Sequence, residues 1–131
     1  MTVLTSAPED RGDISRALAD PARLVVMSFC AAWCDTCTQF RATCERLAQA
    51  RPQITFVWLD IEDDAAITGD VDVENFPTLA VYRGSDVLHF GVSLPHETTV
   101  GRLIEALAAR TEPLREAPQP VHELPAKFLI G

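Results

Sequence analysis

The stretch Leu24-Val25-Val26-Met27-Ser28-Phe29-Cys30-Ala31-Ala32-Trp33-Cys34-Asp35-Thr36-Cys37 decides the fold. Leu24 to Cys30 is a nearly continuous apolar run, as expected of a strand covered on both faces. A helical pattern then runs from Cys34 to about Ala50, with Phe40, Cys44, Leu47 and Ala48 near one apolar face and Pro52 closing it. Two thiols two residues apart can close a disulfide, open it, and pass the oxidation on. Their place at a strand-to-helix junction separates a redox pair from two chance cysteines.

On either side of this stretch, strand and helix alternate. Thr2 to Leu4 reads as a short first strand and Asp13 to Ala19 as a short helix stopped by Asp20-Pro21. Ile54 to Ile61 is a second buried strand, and Glu62, Asp63 and Asp64 suit the start of a short helix to Thr68, where acids favour the dipole. Phe76-Pro77 precedes a strand from Thr78 to Tyr82. Arg83-Gly84-Ser85-Asp86 is a turn, and Val87 to Phe90 returns as a hairpin. Gly91 suggests a bulge or a close backbone approach, and Pro95 fits the first turn of a last helix to about Arg110. The order βαβαβαββα implies an α/β fold, a mixed central sheet with helices on both faces. We divide the chain into a domain at 1–110 and a Pro-rich extension at 111–131. Pro113, Pro118, Pro120 and Pro125 are expected to break any helix there. Its apolar end, Phe128-Leu129-Ile130, is expected to dock on the domain or on a neighbour, as a monomer or a tail-mediated dimer.

The 131 residues are enough for one domain with a real core. The net charge of −8 argues against nucleic acid or an anionic membrane as partner and favours basic or neutral protein surfaces. Residues 1–16 lack the apolar stretch of a signal peptide, and no segment reaches 18 uninterrupted apolar residues. A cytoplasmic, reducing compartment follows as the expectation, where such a thiol pair is more often catalytic or metal-binding than structural. The spacing of Cys30, Cys34, Cys37 and Cys44 is not a usual zinc or iron–sulfur spacing, so no metal is expected. Cys30 and Cys44 read as small apolar core residues, with a second, regulatory disulfide or a metal cluster as the alternative. His89, His96 and His122 are scattered. His89 reads as exposed or satisfied.

Trp33-Cys34-x-x-Cys37 at a strand-to-helix junction, Phe76-Pro77-Thr78 forty residues beyond Cys37, and the Arg83-Gly84 hairpin followed by Gly91 together resemble the thioredoxin-fold family over roughly residues 2–110. The resemblance implies a thioredoxin-like three-layer α/β/α sandwich and a thiol–disulfide oxidoreductase acting in cell redox homeostasis, with no cofactor. It implies a cis Pro77 facing the thiols, with Trp33, Phe76 and Pro77 forming the substrate-docking surface. Cys34, at a helix N-terminus where an anion is favoured, is the expected nucleophile. Cys37, one turn inside, is the expected resolving thiol of a reversible Cys34–Cys37 disulfide.

The chain departs from the family pattern in three places. Asp35-Thr36 replaces Gly-Pro, and the Asp35 carboxylate opposes the dipole at Cys34. Low thiolate stability goes with a stable disulfide, so a reductant is expected. Ser28 stands where the family's reductases often hold a buried acid, and Trp58 where a lysine often pairs with it, leaving Asp60 as a weak substitute. Seven acids and no Lys or Arg lie between 52 and 82, with Asp70, Asp72 and Glu74 alternating with Val71 and Val73. They read as a solvated face or as an acidic rim that selects basic partners. Protein disulfides and an electron donor that the sequence does not identify are the expected partners. The alternative function is a non-catalytic interaction or assembly-chaperone module using the groove beside Pro77.

Overall fold

The computed structural model describes residues 3–129. A four-stranded sheet has the order β2-β1-β3-β4. β1 (Leu24–Cys30) and β2 (Thr55–Asp60) are parallel. β3 (Thr78–Arg83) runs antiparallel to β1, and β4 (Asp86–Val92) antiparallel to β3. β1 lies between two neighbours with all seven residues buried, which is what its unbroken apolar run requires. Thr2 lies outside the described residues. Leu4 forms a single parallel bridge to Val57, its amide donating to Phe56 O and its carbonyl accepting from Trp58 N.

Alternation along the strands separates two apolar layers. Val25, Met27, Phe29, Val57, Leu59, Ala80 and Tyr82 face one side, covered by α1 (Pro8–Ala19), α3 (Ala65–Thr68) and α5 (Gln119–Leu129). Leu24, Val26, Phe56, Leu79 and Val81 face the other, covered by α2 (Asp35–Ala50) and α4 (Glu97–Ala108). The result is the three-layer α/β/α sandwich with a mixed sheet.

Several elements differ from the sequence expectation. α1 begins at Pro8, five residues earlier than expected, with Pro at its first position and Glu9 and Asp10 in its first turn. The Asp10 carboxylate also accepts from the Thr5 amide and hydroxyl. The hairpin bulge sits at Leu88, between the pairs Val81–His89 and Tyr82–Val87. Gly91 pairs regularly with Leu79 and has room for a side chain. Gly84 (φ 59°) opens the two-residue turn, where a positive φ favours glycine. Pro95 precedes α4, whose N-cap is His96.

The largest correction concerns the Pro-rich segment, which does form a helix. In α5 the Val121 and His122 amides bond back to Pro118 O, so Pro120 falls in the first turn, where its missing N–H is no loss. Pro125 lies inside the helix and deprives the Val121 carbonyl of its usual i+4 donor. The buried Tyr82 hydroxyl supplies that donor at 2.9 Å. Val121, Leu124 and Phe128 are thereby packed into the layer that α1 and α3 share.

Candidate redox site

Cys34 is the N-cap of α2, half-buried and a free thiol, with no side-chain cap bond. Its carbonyl accepts from the Thr38 amide (3.1 Å) and hydroxyl (3.3 Å), and its amide donates to Ala31 O (3.0 Å). Asp35 is exposed and Thr36 half-buried in the first turn. Cys34 thus stands at the N-terminus of a 16-residue helix, a position that favours an anion.

Cys37 is 1% exposed and is bonded to Cys30, also 1% exposed, with the Cα atoms 5.8 Å apart. The disulfide present thus joins Cys37 to Cys30 and leaves Cys34 free, so Cys30 follows the second of the two readings given for it, a further disulfide, and not packing alone. The reason lies in strand parity. Cys30 shares a sheet face with Leu24, Val26 and Ser28, the face that α2 covers, and Cys37 sits one turn inside α2. A parity count along β1 is the sequence signal that finds Cys30.

Cys44 lies apart, buried, with Ser28 Oγ 3.7 Å from its sulfur. Burial pushes its thiol up to about 12, only partly offset by the Ser28 bond and by Arg41. The four cysteines do not converge, and among the described residues no group of three or more His, Cys, Asp or Glu could hold a metal ion. Trp58, opposite Ser28 in register, lies tilted against Phe40 (6.3 Å between centroids, 35° between planes), with the Arg41 guanidinium 5.1 Å from its ring. Asp60 Oδ1 accepts from the Glu62 and Asp63 amides (2.8 and 3.0 Å), so this carboxylate organises the loop after β2.

Above the thiols, the Trp33 ring is 67% exposed and meets Phe76 edge-on, 5.5 Å between centroids. Its indole N–H donates to Glu62 at 2.5 Å. The Phe76–Pro77 peptide is cis and Pro77 is buried. Pro77 O accepts from the Ser93 amide (3.0 Å), which sets the exposed Val92 and Leu94 beside the same loop. These two apolar residues escaped the sequence reading, because only their tertiary exposure marks them. Asp72 and Glu74 line a shallow groove with Thr78, Phe90 and Val92. His89 is half-buried with its Nε2 unpartnered, neither exposed nor satisfied as expected. Burial first, and Arg110 second, hold it below the ordinary histidine value.

The family model described as thioredoxin matches residues 8–104. The chain belongs to the thioredoxin family. Thioredoxin-2 of Saccharomyces cerevisiae is 32% identical over 84 residues, covering 64% of this chain and 77% of that protein. The thioredoxin of Streptomyces clavuligerus is 31% identical over 90 residues, covering 69% and 77%. Among solved structures, the oxidised thioredoxin of Plasmodium falciparum superimposes with a TM-score of 0.64 at 23% identity, over 82% of this chain and all of that one. The matched region of this thioredoxin homologue holds Cys30, Cys34, Cys37, Phe76 and Pro77. The family and the thiol set make it a thiol–disulfide oxidoreductase. Among the described residues, no helix is long and apolar enough to cross a membrane.

Proposed function

We propose that the chain reduces protein disulfides, with Cys34 as nucleophile and Cys37 as resolving thiol. The observation that carries this reading is a free, half-exposed Cys34 at the N-cap of α2, with buried Cys37 one turn behind it and an exposed Trp33–Phe76 edge beside cis-Pro77. In this reading the Cys34 thiolate attacks a substrate disulfide and forms a mixed disulfide. Cys37 then attacks Cys34, the substrate leaves reduced, and Cys34–Cys37 is the immediate product. Trp33, Phe76 and Pro77 form the lip on which an extended peptide docks. Glu62 on one side and Asp72 and Glu74 on the other make that lip acidic and favour basic substrate segments. Ser28 and the neutral Trp58 leave Cys37 without a buried carboxylate, which supports slow proton transfer at that thiol. The cytoplasm is the compartment we assign, a reductase or a small thiol the electron donor. Residues 111–129 act as a built-in extension of the domain, with α5 docked through Val121, Leu124 and Phe128; Ile130 lies outside the described residues.

Insulin reduction with dithiothreitol as electron source tests the reading. The wild-type chain is expected to accelerate precipitation of the insulin B chain, Cys34→Ser and Cys37→Ser to abolish the acceleration, and Cys37→Ser to accumulate a mixed disulfide. A wild-type chain no faster than dithiothreitol alone would overturn it and leave the interaction module.

A further inference from the structure

We infer that Cys30 is a third redox thiol, which takes the oxidation from Cys34–Cys37 and stores it as a buried Cys30–Cys37 disulfide. This inference rests on the Cys34–Cys37 reading above. The bond itself, with both partners 1% exposed and Cys34 left free and half-exposed, is the observation behind it.

Each step conserves electrons. Once substrate has left, the chain holds Cys34–Cys37 and a Cys30 thiol. Cys30 attacks Cys37 Sγ, the Cys30–Cys37 bond forms, the Cys34–Cys37 bond breaks, and the proton released by Cys30 is balanced by the one gained at Cys34. The sum is three protein thiols plus one substrate disulfide giving one protein disulfide, one protein thiol and two substrate thiols. Cys34 is a suitable leaving group, because it departs at the N-terminus of a 16-residue helix. Cys30 is suitably placed, because it ends β1 on the face that α2 covers.

The consequence concerns access. An external thiol cannot reach a disulfide whose two cysteines are both buried, so electrons re-enter only after Cys34 attacks Cys37 and reverses the exchange. The oxidised chain is then a single exposed thiol without a free resolving partner. It captures disulfide-bearing partners as mixed disulfides and releases them slowly.

The test maps the disulfide in the full chain. Reduced protein is oxidised by insulin under native conditions, quenched in acid, alkylated with N-ethylmaleimide in denaturant, and digested. Cys30, Cys34 and Cys37 share the tryptic peptide 24–41, so fragmentation assigns the tag. The expected pattern is alkylation of Cys34 and Cys44 with none on Cys30 or Cys37. Cys34→Ser is expected to retain the internal disulfide on oxidation by diamide while losing insulin reduction. Cys30→Ser is expected to protect Cys34 from alkylation and to raise the reduction potential. A tenfold preference for Cys30–Cys37 over Cys34–Cys37 corresponds to about 30 mV. Tag on Cys30 in the wild-type chain overturns the inference even if reductase activity persists. Loss of wild-type insulin reduction, with diamide giving the mapped bond, overturns the catalytic reading instead. The wild-type map needs no variant to fold.

Discussion

Tyr82→Phe is the substitution that examines how a helix with an internal proline is held in the core. Tyr82 and Val121 are both fully buried, and the hydroxyl donates to the Val121 carbonyl at 2.9 Å. Burial keeps the phenol above its ordinary range and therefore protonated as a donor. Phenylalanine fills the same space but leaves the carbonyl without a partner, because Pro125 has no N–H to offer. A buried acceptor left unpaired costs about 1–3 kcal/mol. Taking about 2 kcal/mol and a urea slope of about 2 kcal/mol/M, the unfolding midpoint falls by about 1 M. Size alone cannot explain such a loss, since the ring is retained. The decisive comparison is the same substitution in Pro125→Ala, where residue 125 regains an N–H for Val121. There Tyr82→Phe is expected to cost under about 1 kcal/mol, a coupling of about 1 kcal/mol in the double-mutant cycle. Equal costs in the two backgrounds would refute the reasoning.

Native Cys44, pushed up to about 12 by burial, is expected to resist N-ethylmaleimide at pH 8 and to label at the rate of unfolding; faster labelling would show an accessible thiolate. Because His89 lies below its ordinary value, the unfolded chain binds that proton first as the pH falls. Stability therefore drops below about pH 6.5, and His89→Gln should flatten that segment of a urea-midpoint profile. Ser28→Asp, beside Cys44 and with no cation bonded to Ser28, places a carboxylate in a buried site. Its folded pKa then lies above the unfolded value, so the penalty is small below about pH 4 and grows with pH, reaching about 4 kcal/mol for a shift of about three units. An equal penalty at pH 4 and pH 7.5 would contradict this.

The central elements were legible because short-range patterns carry them. The unbroken apolar run gives β1, the helical period after Cys34 gives α2, and Gly84 marks the hairpin. That Trp33 and Phe76 come together was legible too, although the two lie far apart in sequence. α5 was not. A proline rule describes the backbone donor a helix loses, whereas the replacement donor, Tyr82, comes from β3, 39 residues away. The start of α1 was missed for a different reason. Gly12 weakens the helical pattern, but Pro8 with Glu9 and Asp10 was an available start signal.

The same contrast explains Cys30. Read as composition, it is one more small apolar residue at the end of a buried strand. Read as parity, it shares a face with Ser28 and lies within bonding reach of the first turn of α2. With Ser28 opposite Trp58, these two positions carry no buried acid and no lysine, and so no desolvation cost of two buried charges. The inner thiol is bonded to another cysteine, and the same face carries a serine that meets Cys44 and a tryptophan that lies near Phe40 under the Arg41 guanidinium. In such surroundings Cys37 is better served by exchange with a neighbouring sulfur than by proton transfer to a carboxylate. Exchange creates no lasting buried charge, and its product is a disulfide that needs no hydrogen-bond partner. The loss of the acid and the presence of Cys30 are therefore two sides of one arrangement, and restoring the acid alone, as in Ser28→Asp, adds a buried charge on a face whose cation, Arg41, is held over the Trp58 ring.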